Sequence, residues 1–215
     1  MPMTFKRLIL YSTPPLLLLT TIIVFHSASL LFGQRAGYFT GFLFYWVFWC
    51  LLIPLSTIGW TEVKASFLRI PKRINQMSFI ELTMLALPLL LGYGYAFPKA
   101  LHTANLIVII TSLLLAIINA FFEELLWRAT FIKFFGNNVF MSLVYPTIGF
   151  GIWHYSPQTI YPSGTTGTTI AFIGVATVVG LFYGIIARKY NSIFWTTIMH
   201  TLFDFSGLGG RLYFT

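Results

Sequence analysis

The stretch "INAFFEELLWRATFI", residues 118–132, sets Glu123, Glu124 and Arg128 inside a run that otherwise reads as bilayer filler. What surrounds it is equally apolar. The chain has 215 residues, of which 57% are hydrophobic, 19% aromatic and only 8% charged, and its mean hydropathy is +0.82. Those values exceed the apolar share of soluble domains and define an all-α integral membrane protein. The single cysteine, Cys50, can form no intrachain disulfide, so helix packing has to hold the fold. A net charge of +8 raises the question of nucleic acid. The basic residues nevertheless sit in short loops between apolar runs and form no stripe with interleaved aromatics, so no nucleic-acid partner is expected.

A hydrocarbon core about 30 Å thick takes roughly 20 helical residues. Apolar runs of about that length occur near 8–32, 38–60, 79–97, 105–132, 139–156, 168–187 and 193–209. They predict a bundle of about seven transmembrane helices with short connections. Pro14, Pro54, Pro88 and Pro146 fall inside these runs, which neighbouring helices in a bundle tolerate. The first run is too long and too proline-marked for a cleaved signal. With the N-terminus cytoplasmic, Lys6, Arg7, Lys64, Arg69, Lys72, Arg73, Lys133, Arg188 and Lys189 lie inside, against Arg35, Lys99 and Arg211 outside. Nine to three sets the orientation, because positive loops stay cytoplasmic, and it puts the C-terminus outside. A multi-pass protein of a prokaryotic plasma membrane is expected.

Arg128 belongs to neither side. Among the acids, Glu62 lies in a basic loop and Glu81 reaches an interface, but Glu123, Glu124 and Asp204 are within spans. Ionisable groups inside a membrane cost about 2.5–3.5 kcal/mol on insertion scales, and are usually paired, inward-facing and functional. Glu124 and Arg128 are four apart with the acid first, the favoured orientation for a same-face pair. Glu123 has no such partner. It points about 100° further round the helix, towards Asn119 and Trp127, and is the carboxylate left for chemistry. His200 and Asp204 are also four apart, so Asp204 is expected to orient the imidazole and leave its other nitrogen for a substrate, a water or a metal. Counted along helices, Glu123 sits roughly 15 Å from Lys133, His200 roughly 16 Å from Lys189, and His154 about 24 Å from Asn138. One polar cavity near mid-membrane accommodates all three.

These residues carry a resemblance. Glu123-Glu124-x-x-x-Arg128, Phe150-x-x-x-His154 and His200-x-x-x-Asp204 resemble, in order, the EExxxR, FxxxH and HxxxN/D motifs of the CPBP family of intramembrane proteases, the CAAX prenyl and bacteriocin-processing enzymes also called Abi. The resemblance covers residues 105–209, the last four spans. It divides the chain into residues 1–104, three helices of unassigned role, and residues 105–215, a CPBP-like catalytic core. What it implies is peptide-bond hydrolysis in or beside the membrane, with Glu123 and His154 activating water and His200 with residue 204 stabilising the oxyanion. Asp204 stands where prenyl-processing members carry Asn, and an ionised Asp is no oxyanion donor; orienting His200 suits it better.

A metal-free glutamate mechanism without a cofactor is expected. The alternative is zinc held by Glu123, His154 and His200 with an open position for water. Against zinc stands the absence of the HExxH arrangement, which places two ligands and a base on one helical turn. The implied partners are the lipid bilayer and a small membrane-attached or lipidated peptide or protein as substrate. Glu124 and Arg128 support the site as a structural pair. Phe150 and Trp153 at most line a pocket, His26 and His102 carry no chemistry, and residues 156–169 read as an external loop. Two other classes fit the same charges: a proton-coupled transporter or channel, against which the lack of inverted repeats speaks, and a non-catalytic immunity or scaffold protein.

Overall fold

The computed structural model describes residues 2–71, 74–162 and 168–214. Among them every regular element is helical. Helix α1 spans Met3–Phe32, and α2 spans Gln34–Thr57 with π-helical winding over Tyr45–Leu52. Helix α3 is Trp60–Leu68, and α4 is Phe79–Leu101. Helix α5, Leu106–Phe135, carries the opening stretch and is π-wound over Leu125–Thr130. Helix α6 starts π-wound at Phe140–Val144 and continues as Tyr145–Trp153. Then come the short α7 (Tyr155–Gln158), α8 (Thr169–Tyr190), α9 (Phe194–Ser206) and the short α10 (Arg211–Phe214).

Local sequence explains the boundaries. Asn105 caps α5 by accepting from the Val108 amide at 2.9 Å, and Thr168 caps α8 by accepting from Ala171 at 3.0 Å. Ser78 and Glu81 form a reciprocal capping box at the start of α4. Gly33, at φ 82°, turns the chain between α1 and α2 in a conformation that a side chain would strain. The two helices then pack extensively, because Gly37 and Gly41 let α2 approach the Ser29 backbone and the Phe25 ring to distances no Cβ permits.

The bundle is the multi-pass arrangement read from the apolar runs, with one refinement. Five helices, α1, α2, α4, α5 and α8, are long and apolar enough to cross a membrane. The apolar runs near 139–156 and 193–209 form shorter elements. Helix α9 has 13 residues, about 20 Å, and α6 has 5 and 9, about 21 Å in all. Both start at the end of the bundle that carries Lys133 and Lys189, and both stop short. Residues 156–158 are also not the plain loop expected: they belong to α7 and are buried, and Ser156 Oγ lies 2.8 Å from Thr21 Oγ1. Residues 163–167 of that stretch lie outside the described residues.

The basic residues gather at one end. Lys6 donates to the Thr57 carbonyl at 2.7 Å, and Lys133 pairs with Glu62 at 2.9 Å. Lys189 pairs with Glu81 at 2.5 Å, while Arg188 donates to Ser142 Oγ at 3.0 Å and Arg69 to the Asn191 carbonyl at 3.2 Å. Lys72 and Arg73 lie outside the described residues. Above this belt Val63, Leu125, Ala129, Ile132, Ala187 and Ile193 form a packed core.

Candidate functional site

The charges in the opening stretch are held by partners on α5 itself and on other helices. Glu124 is fully buried and faces three groups. Arg128 Nη1 is 3.1 Å from its Oε1, the expected one-turn pair, while His200 Nδ1 lies 3.0 Å from the same oxygen and Thr196 Oγ1 donates to Oε2 at 2.7 Å. Two of these three partners come from α9. The Arg128 guanidinium also stacks 4.2 Å from the centre of the Phe150 ring. Gly180 on α8 makes room for that stack: a Cβ there would stand 2.7 Å from Phe150 Cδ1 and 3.3 Å from Arg128 Nη2.

Glu123 is held differently. Its Oε1 accepts from Tyr45 Oη and from Trp153 Nε1, both at 3.1 Å. Tyr45 Oη in turn accepts from Trp127 Nε1 at 2.8 Å, and the Tyr45 ring stacks on Trp153 with centroids 3.7 Å apart. The other oxygen, Oε2, is buried with no hydrogen-bond donor and stands 3.4 Å from His200 Nε2. One oxygen is anchored by two donors and the other has none.

The imidazole of His200 thus bridges the adjacent glutamates. This corrects the expectation that Asp204 orients it: Glu124 holds Nδ1, and Asp204 Oδ1 is 3.5 Å from Nε2, on the Glu123 side. The four-residue spacing correctly put Asp204 on the same face, but burial beside a fully enclosed carboxylate gives Glu124 the shorter contact. Asp204 is itself held by Asn119 Nδ2 at 2.9 Å, and Trp46 Nε1 donates to Asn119 Oδ1 at 2.9 Å, which sets the amide's orientation. His154 ends α6, where its Nδ1 lies 2.7 Å from the Phe150 carbonyl. A protonated Nδ1 there leaves Nε2 as an acceptor.

Glu123, His154, His200 and Asp204 all line one cavity of about 670 Å³. Its walls are otherwise mostly apolar, including Phe42, Leu91, Phe172 and Val179. A carboxylate, imidazoles and an amide converging at the base of an apolar hollow can position a water, accept its proton and donate to a developing oxyanion. Among the described residues, no three His, Cys, Asp or Glu side chains are arranged to hold a metal ion. Glu123, His154 and His200, the alternative zinc set, nevertheless all line this cavity.

Sequence reasoning missed Tyr45, Trp46 and Thr196, and gave Trp153 no more than a lining role. A signal was available for three of them. The polar tips of Tyr and Trp in a span need partners, and the two tryptophans and the tyrosine are buried.

Together these features define a multi-pass, all-helical membrane protein with an enclosed acid–imidazole centre. Residues 103–206, which hold that centre apart from Tyr45 and Trp46, match the model of the Rce1-like family, described as type II CAAX prenyl endopeptidase Rce1-like. This part of the chain is thus similar to a family of membrane endopeptidases. No curated protein and no solved structure matches the chain.

Proposed function

We propose that the protein is an endopeptidase that hydrolyses a peptide bond of a small membrane-attached protein or peptide, with Glu123 as the general base. The observation that carries this reading is the asymmetry of Glu123. Oε1 is held by two donors, while Oε2 is buried without one at the cavity floor, 3.4 Å from His200.

In this mechanism Glu123 Oε2 takes a proton from a water whose oxygen attacks the scissile carbonyl carbon. His154, with Nδ1–H spent on the Phe150 carbonyl, orients that water through Nε2. The oxyanion receives the Nε2–H of a His200 imidazolium, protonated on both ring nitrogens, whose Nδ1–H is donated to Glu124, and the amide of Asn119 supplies the second donor that Asp204 cannot. Glu123 then returns its proton to the leaving amine as the C–N bond breaks. Glu124 and Arg128 neutralise each other and fix His200, which makes them positioning residues.

The test compares purified wild type and Glu123→Gln on the same membrane peptides, with and without chelator, with products read by mass spectrometry. Cleavage falling about 10²–10⁴-fold in the variant and indifferent to chelation is the expected result, since that range is typical of a lost general base. Cleavage that survives the substitution overturns the assignment, and cleavage abolished by chelator overturns the metal-free form.

A further inference from the structure

The hollow occupies one half of the bundle. On every helix that contributes to it, the lining residues lie towards the end away from the basic belt. They are Tyr38 to Trp46 at the start of α2, Leu87 to Ala96 in the later part of α4, Ser112 to Glu123 on α5, and Ala171 to Phe182 at the start of α8. Helices α6 and α9 start at the belt and stop after about 20 Å, well short of the roughly 30 Å hydrocarbon core. His154 and the turn through Gly207 and Gly209, which follow those two ends, line the cavity. Irregular backbone at membrane depth is tolerated where it borders such a space. Towards the belt the way is shut by the core of Val63, Leu125, Ala129, Ile132, Ala187 and Ile193.

There is also a side opening. Helices α4 and α8 pack together through Leu85, Tyr183 and Ile186. Beyond those contacts Leu87, Leu91, Val175 and Val178 line the cavity and are still 38–62% exposed, so its wall is continuous with the lipid-facing surface.

From these observations, and resting on the endopeptidase reading above, we infer that the cavity opens to the extracytoplasmic side and admits the apolar anchor of a peptide from that half of the bilayer, cutting it in its extracytoplasmic membrane-proximal segment. The positive belt assigns the sealed end to the cytoplasm. A tail attached at the cytoplasmic leaflet cannot reach Glu123 without passing the packed core. The occupant must be apolar to enter between α4 and α8, and must be extended at the scissile bond, because a helical backbone shields its carbonyls.

Two measurements test this. In a Cys50→Ala background, Gly209→Cys stands at the cavity mouth, where an added Cβ meets nothing within 4 Å, and Lys64→Cys stands exposed on the belt. In intact cells a membrane-impermeant maleimide is expected to label Gly209→Cys, and to label Lys64→Cys only after lysis. The reverse pattern overturns the sidedness. In parallel, new protein termini are compared between cells carrying wild type and Glu123→Gln. Glu123-dependent termini in extracytoplasmic, membrane-proximal segments support the substrate class, and such termini in cytoplasmic tails overturn it. Absence of any Glu123-dependent terminus overturns the protease reading and the substrate class with it, while the thiol pattern, which needs no activity, still decides the sidedness.

Discussion

The two halves of the bundle spend their side chains in opposite ways. Around the belt, basic residues tie helix ends together over a filled core. Around Glu123 the helices part, and buried polar groups face a space of about 670 Å³. Helix α8 runs through both regions, and its glycines record the difference. At Gly184 an added Cβ would stand 2.7 Å from Leu143 Cδ1, whereas at Gly174 it would meet nothing within 4 Å. One half is built for stability and the other sacrifices packing for access.

The sharpest way to break that contrast is at the boundary between the halves, where Glu124 and Arg128 are both buried. Arg128→Leu leaves the Glu124 carboxylate with His200 and Thr196 but no permanent cation, and is expected to destabilise the fold by about 3–5 kcal/mol, measured by denaturant unfolding in detergent. Adding Glu124→Gln should restore part of the loss, because the uncompensated charge goes with it. Next comes the same substitution in both halves. Gly184→Leu should cost about 1–3 kcal/mol through overpacking, while Gly174→Leu should change stability by less than about 0.5 kcal/mol and lower the rate of peptide cleavage by narrowing the cavity. Equal destabilisation at both sites would erase the difference between the two halves. The smallest effect belongs to the belt's exposed pairs. Lys133 and Glu62 are 40% and 34% exposed, so Lys133→Ala should cost no more than about 1 kcal/mol and leave cleavage unchanged.

Much of this was legible without coordinates. Run length and hydropathy marked the helices, and the four-residue spacings put Glu124 with Arg128 and His200 with Asp204 on shared faces. Depth counting placed Glu123 level with His200, whose facing atoms are 3.4 Å apart. Other features were not legible, because no local pattern encodes them. The lengths of α6 and α9 depend on where the chain turns beside the cavity rather than on how apolar the run is. The π-helical stretch Leu125–Thr130 directly follows Glu124, and similar winding starts at Tyr45, so both begin at residues of the site.

The sequence by itself determined that the chain crosses a membrane as helices, and which few ionisable groups it commits to the apolar interior, because the cost of burying charge is a property of each residue and its neighbours along the chain. Only the tertiary structure decided the division of labour between Glu123 and Glu124. Adjacent on one helix and identical in chemistry, they differ because packing brings Arg128, Thr196 and one nitrogen of His200 to Glu124, while Tyr45 and Trp153 anchor a single oxygen of Glu123 and leave the other without a donor, 3.4 Å from the second nitrogen of His200.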